Sequence, residues 1–358
     1  MGLSPYMEWA KSRPVARLDL AASNLKACTI DDLPGAREAL ELSGRNDEGY
    51  GPLLEAIASR YGVAADQIAA ASGCSGANFL ALAAAVSAGD ELLIERPAYD
   101  PLIGAARLLG ATIVRFDRPA ADGFAIDSDR VQAAVTPRTR AIVVTTPHNP
   151  TGVTIPDETL AALGRIAARS GAILLVDEVY RDVAGACGAP PAARLGDAIV
   201  TTNSLTKSYG LSGLRCGWTI ASAAITHRIR RARDVVDGTG AFPPDRLARL
   251  AFEHLETLHT RGREIVGANL SRAREFLGRR RELECTIGDG PLIFPCLSAS
   301  ATADAFAARL FERYETAVVP GRFFEMPAHF RIALGGDPRM FDEGLSAVEA
   351  ALGATEWG

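Results

Sequence analysis

Residues 204–217 read SLTKSYGLSGLRCG, with Lys207 set among glycines and hydroxyl side chains between Ser204 and Arg215. Lysine and arginine together number 38. Three are lysines (Lys11, Lys26 and Lys207), which leaves 35 arginines. An arginine stays protonated and does not serve as an amine nucleophile. Chemistry that needs a neutral primary amine, such as a Schiff base with an aldehyde, therefore falls to three side chains or the N-terminus.

Outward from this run, residues 50–220 alternate between short apolar stretches and longer Ala/Leu-rich ones. ELLIE (91–95), ATIVRF (111–116), RAIVVTT (140–146), AILLVDE (172–178), DAIVTTN (197–203) and GWTIA (217–221) read as strands. GPLLEAIASRYG (51–62), GANFLALAAAVSAG (76–89), PLIGAARLLG (101–110) and IPDETLAALGRIAARSG (155–171) read as helices between them. Gly62, Gly110 and Gly171 close three of these helices, and Pro156 opens the last. The alternation predicts an α/β/α sandwich around a mostly parallel sheet. In such sheets ligands gather beyond the carboxyl ends of the strands, where Asn149, Asp177, Ser204 and Lys207 fall. After about residue 240 the pattern changes. Residues 244–282 read as helices, LIFPC (292–296) and FRIAL (330–334) as short strands, and FAARLFERY (306–314) as a helix between them. This predicts a second, smaller α+β domain.

Composition narrows the function. A chain of 358 residues, 48% hydrophobic and 23% charged, is long enough for two globular domains. A net charge of −5, with no basic stripe interleaved with aromatics, argues against a nucleic-acid partner. FLALAAAVSAG (79–89) is too short to span a membrane, and the opening MGLSPYMEWAKSRP lacks a secretory apolar run. Cys28, Cys74, Cys187, Cys216, Cys285 and Cys296 form no CxxC pair and no cluster with histidine. They are expected to be buried or incidental thiols, with no metal site, in a cytoplasmic protein.

Four more segments carry chemistry. VDEVY (176–180) sets a strand-end carboxylate, Asp177, three residues before Tyr180. PHNPTG (147–152) holds the Asn149 amide in a turn, SGCSGAN (72–78) leads a small-residue loop into a helix, and FRIAL carries Arg331. Taken singly, each has an ordinary structural reading: a turn, a helix cap or a surface ion pair. Taken together, they fit one cofactor.

In order, NPTG, DExY, SxTKxxGxxGxRxG and a late arginine make the chain resemble the fold-type I pyridoxal-phosphate (PLP) enzymes, in particular the class I/II aminotransferases. The resemblance runs from about residue 20 to 352. It implies a three-layer α/β/α large domain with a mostly parallel sheet, residues 41–243, and a smaller α+β domain, residues 244–358. Residues 1–40 would join the small domain and the substrate pocket. By motif, Lys207 would be the Schiff-base lysine and proton carrier, and Asp177 the partner of the pyridine nitrogen. Tyr180 and Asn149 would contact the cofactor's phenolic oxygen. Ser204 and Arg215 would hold its phosphate, together with the loop residues Cys74, Ser75 and Gly76. Tyr99 matches the aromatic that stacks on the ring, and Tyr50 a tyrosine that reaches the phosphate of a neighbouring subunit in a homodimer. Arg331 would bind the substrate α-carboxylate, with Asn149, Ser23 and Asn24 also at the substrate. The chemistry suits these roles. A helix N-terminus and charge-assisted bonds hold a phosphate, and a carboxylate favours a protonated ring nitrogen. Arginine captures a planar carboxylate with two bonds.

The implied activity is transfer of an amino group between an L-amino acid and a 2-oxo acid. The chain departs from the family in LDLAASNLKAC (18–28), where Ala22, Ser23 and Asn24 replace a glycine-containing segment, and at Cys74 and Ser75. Those changes point to an unusual substrate pocket. The same framework also serves lyases, decarboxylases, cyclases and oxidases of amino acids. A non-catalytic sensor of this fold would need a DNA-binding domain, and a dinucleotide oxidoreductase would need GxGxxG after an early strand. The sequence shows neither.

Overall fold

Apolar side chains alternate along the predicted strands, and the two sets they form face opposite ways. Leu92, Ile94, Ala141, Val143 and Leu175 lie in one buried cluster. Leu93, Ile142, Val144, Leu174 and Val176 lie in another. The computed structural model, which describes residues 4–185, 188–298 and 302–353, shows why. Seven strands form one sheet: β1 (Ile68–Ser72), β2 (Glu91–Arg96), β3 (Thr112–Asp117), β4 (Thr139–Thr145), β5 (Ile173–Asp177), β6 (Ile199–Ser204) and β7 (Cys216–Ile220). Their spatial order is β1-β7-β6-β5-β4-β2-β3. β7 runs antiparallel to β1 and β6, and every other pairing is parallel.

Helices cover both faces. On one side lie Gly73–Ala83, Asp100–Leu108 and Ala223–Val236, and on the other Asp157–Ser170. Each fully buried Leu, Ile or Val contributes roughly 1.5–3 kcal/mol relative to exposure. The sandwich therefore rests on strands buried on both faces. The six predicted strands are all present, with ends within two residues of the expected ones. β1 was not anticipated. Its sequence, IAAAS, has one β-branched residue and three alanines, so its strand state comes from pairing with β7 rather than from propensity.

The C-terminal part has its own core. Leu292–Ile293, Phe330–Ala333 and Val319–Pro320 form a small antiparallel sheet. Phe330 of that sheet shares one core cluster with Phe306, Phe341 and Val348. The helix Phe242–Glu253 buries Ala248 and Ala251 against Leu53, Ile57 and Trp218 of the large sheet's layer. Val266 and Leu270, further along the helix Leu255–Gly278, pack into the C-terminal core. Packing thus hands over from one core to the other inside that long helix.

The N-terminal segment bridges the two cores. Leu18–Asp19 pairs in parallel with Thr316–Ala317, and Leu20 and Leu25 join the C-terminal core. Helix α1 (Pro5–Ser12) crosses to Asp100: Ser4 Oγ donates to Asp100 Oδ2 at 2.6 Å, and the Tyr6 N–H donates to the same oxygen at 3.1 Å. Among the described residues, no helix is long and apolar enough to cross a membrane. Cys28, Cys74, Cys216, Cys285 and Cys296 are free thiols, and Cys187 lies outside the described residues.

Candidate active site

The parallel strands β4, β5 and β6 end side by side at Thr145, Asp177 and Ser204. A cavity of about 540 Å³ opens beyond them. Lys207, Asp177, Tyr180, Asn149, Ser204, Arg215, Cys74, Ser75, Tyr99, Ser23 and Asn24 all line it. The motifs converge because each follows the carboxyl end of a strand or the loop that crosses it.

Lys207 follows β6 in the single turn Leu205–Ser208. Its Nζ donates to Asn24 Oδ1 at 2.7 Å and to Ser23 Oγ at 2.9 Å. Burial, and then the positive charge of Arg331, pull its pKa down to about 7, against the opposing pull of Asp177. The amine is therefore neutral above about pH 7 and protonated below it. The rate at which apo-protein captures an aldehyde cofactor should rise as pH passes through about 7 and level off above. A stopped-flow series from pH 6 to 9, read by cofactor absorbance, checks this.

Asp177 ends β5 and is buried. Its Oδ2 accepts from Asn78 Nδ2 at 2.7 Å, and its Oδ1 from the Val179 N–H at 3.0 Å and the Cys74 thiol at 3.3 Å. Thr202 Oγ1 holds Asn78 in turn, donating to its Oδ1 at 2.6 Å. Burial raises the Asp177 pKa, while Asn78, Val179, Cys74 and the charge on Lys207 act the other way. The neighbouring Glu178 points elsewhere: it accepts from the Ala192 N–H and pairs with Arg181, and burial pushes it up to about 7. Tyr180 is buried, its hydroxyl pairs with Ser23, and burial keeps it a neutral phenol.

Asn149 sits in the turn after β4. Thr145 Oγ1, which donates to Glu95 at 2.7 Å, accepts from the Asn149 N–H at 3.2 Å. Gly152 closes the turn at φ +74, and a Cβ there would lie 2.2 Å from the Leu292 carbonyl oxygen. His148, beside Asn149, is fully buried between Thr151 and the Pro97 carbonyl and is held neutral by burial and the charge of Arg118. It takes no place in the cavity. Arg331 is fully buried and is not among the residues that line the cavity, and its Nη1 donates to Asn149 Oδ1 at 2.9 Å.

The phosphate end can be tested for fit. Helix α2 (Gly73–Ala83) starts after Ser72 with no side-chain cap, so the first-turn N–H groups of Cys74 and Ser75 are open to an anion. Gly73 takes φ +70, and a Cβ on it would meet Arg215 Nη2 at 2.3 Å, so only glycine lets that guanidinium lie over the helix start. Arg215 has no carboxylate partner among the described residues; its contacts are the Ser72 and Ser212 carbonyls at 3.5 Å. The Thr206 hydroxyl, also lining the cavity, is buried without a partner. An uncapped helix end, a guanidinium with no carboxylate partner among the described residues and an orphaned hydroxyl would fit a phosphate, and the buried Asp177 carboxylate would fit a protonated ring nitrogen.

Cys74, Gly76 and Tyr50 each stand differently from the rest of the set. The Cys74 side chain turns to Asp177 rather than to the phosphate end, so only its backbone is available there. Gly76 does not line the cavity. It is the fifth residue counted from the Ser72 cap, and only the first four N–H groups of a helix lack partners within it. Tyr50, expected at a neighbouring subunit's phosphate, lies outside its own chain's cavity, half-buried and edge-on to Phe242 at 5.3 Å. Thr206, Asn78 and Tyr6 also line the cavity and were not singled out from the sequence. Asn78 left a signal as a lone amide in an apolar helix, and Thr206 as a hydroxyl beside Lys207. Tyr6 left none.

This sheet, with an amine and a buried carboxylate at its strand ends, has the architecture of the fold-type I PLP enzymes. The family profile described as aminotransferase class I and II matches residues 18–348. The chain belongs to the class I and II aminotransferase family. It is 30% identical to capreomycidine synthase of Streptomyces vinaceus, covering 98% of this chain and 94% of that one. It is 28% identical to the arginine–pyruvate transaminase of Pseudomonas aeruginosa, covering 80% and 76%. Among solved structures, a PLP-dependent aminotransferase from Streptococcus suis superposes with a TM-score of 0.91 at 25% identity, covering 98% of each chain. The PLP-dependent cyclase OrfR does so at 0.86 and 27% identity, covering 96% and 95%. The protein is a PLP-dependent enzyme that acts on amino acids.

Proposed function

We propose that the protein is an aminotransferase that moves an amino group between an L-amino acid and a 2-oxo acid. The observation that carries this reading is the setting of the Lys207 amine. It is poised near neutrality, and the groups that touch it, Ser23 and Asn24, carry no charge. An amine bonded to uncharged groups suits a reaction in which one base lifts a proton and returns it. Bound PLP supplies an electron sink conjugated to the substrate nitrogen. Asp177 would keep a proton on the ring nitrogen, and Tyr180 and Asn149 would hold the phenolic oxygen. Cys74 and Ser75 N–H, Ser204, Thr206 and Arg215 would bind the phosphate. Tyr99 would pack on the ring. Arg331 would hold the substrate α-carboxylate, with Lys207 Nζ taking the Cα proton.

A panel of amino donors against pyruvate and 2-oxoglutarate tests the reading. A donor that yields its own 2-oxo acid and the aminated acceptor supports it. Ammonia release without an aminated acceptor would replace it with a lyase. Cyclisation is the second reading, favoured by the likeness to capreomycidine synthase and to the cyclase OrfR. A cyclic product formed with no oxo acid consumed would identify it.

The position of Tyr50, outside its own cavity, supports a homodimer in which it reaches the other subunit's phosphate site. Sedimentation should give a dimer, and Tyr50→Phe should weaken cofactor retention. A fully active monomer would contradict this.

A further inference from the structure

Arg331 is fully enclosed, and its guanidinium is divided among three acceptors. Nη1 donates to Asn149 Oδ1 at 2.9 Å. Nη2 donates to the Ala21 carbonyl at 2.9 Å and to the Tyr6 hydroxyl oxygen at 3.0 Å. Both hydrogens of Nη2 are thus spent, and Nε has no partner. Tyr6 lies on α1, lines the cavity and is only 7% exposed. Its oxygen accepts from Arg331, so its own hydroxyl hydrogen must point elsewhere, and no described residue accepts it. The ring cannot turn freely. Tyr99 and Phe323 meet it edge-on at 5.8 and 5.9 Å, and Phe324 and Trp9 pack at 6.1 and 6.2 Å. The helix that carries it is tied to Asp100 by two hydrogen bonds.

A buried hydroxyl with an unspent donor, beside a guanidinium whose Nη2 is already filled, is a site for an anion's second oxygen. We propose that Tyr6 is a substrate-binding residue, its O–H donating to one oxygen of the substrate α-carboxylate while Arg331 and Asn149 hold the other. This rests on the reading of Arg331 as the carboxylate arginine. It makes α1 part of the active site rather than a strap outside it.

The test uses the holoenzyme, with propionate as an unreactive carboxylate and isopropylamine as an amine that lacks one. Tyr6→Phe keeps the ring and removes only the hydroxyl. A lost hydrogen bond to a charged group should weaken propionate binding, measured by calorimetry, about tenfold or more. The KM for L-alanine should rise by a similar factor, with kcat changed far less and isopropylamine binding unaltered. Arg331→Met separates the two readings. If Arg331→Met weakens propionate and Tyr6→Phe does not, the proposal for Tyr6 fails alone. If neither variant changes propionate binding, or the wild type binds none, the carboxylate reading of Arg331 falls with it.

Discussion

Lys207→Ala should leave a folded protein that loses turnover by on the order of 10⁴-fold or more, since it removes both the nucleophile and the general base. The amine sits on a one-turn helix and, among the described residues, is bonded only to Ser23 and Asn24, so its deletion opens space without breaking the core. The same variant should lose the near-visible absorbance of lysine-linked cofactor. Lys207→Arg should rescue neither property, because guanidinium keeps its proton near pH 7. Absorbance and single-turnover rates on the purified variants read both effects. Lys207→Ala retaining a tenth of wild-type turnover would exclude the assignment.

Asp177→Asn should retain cofactor yet lower kcat by about 10²–10³-fold, the scale seen when a preorganised electrostatic partner is removed from a closed site. Asn keeps the shape, and one of its oxygen positions still accepts. The other becomes a donor and faces Asn78 Nδ2 or the pair formed by the Val179 N–H and the Cys74 thiol. A donor there cannot favour a protonated ring nitrogen. Cofactor content by absorbance, with kcat from a coupled assay, separates loss of binding from loss of chemistry. A change in kcat below tenfold would show that the carboxylate has no part in the reaction.

Much of this site was legible because its members lie at strand ends, and strand ends are marked by local chemistry. The apolar run before Asp177, the turn residues around Asn149 and the glycines after Lys207 each point to one edge of one sheet. Contacts made across elements were less legible. The cap-free start of α2 and the turn of Cys74 toward Asp177 depend on β1, whose alanine-rich sequence does not announce a strand. Tyr6 reaches Arg331 from 325 residues away in the chain, through a helix anchored by a single aspartate. The hand-over of packing between the two cores was illegible for a similar reason. A continuous helix carries packing from one core to the other, and nothing in its sequence marks the change of partner.

The central claim is that one amine moves one proton and leaves the amino group on the cofactor. A single-turnover experiment without an acceptor tests it most directly. Holoenzyme mixed with an amino acid it accepts should yield one equivalent of 2-oxo acid and one of pyridoxamine phosphate per subunit, and stop. Continued turnover that releases ammonia or a cyclic product, with the cofactor still in its aldehyde form, would contradict the account.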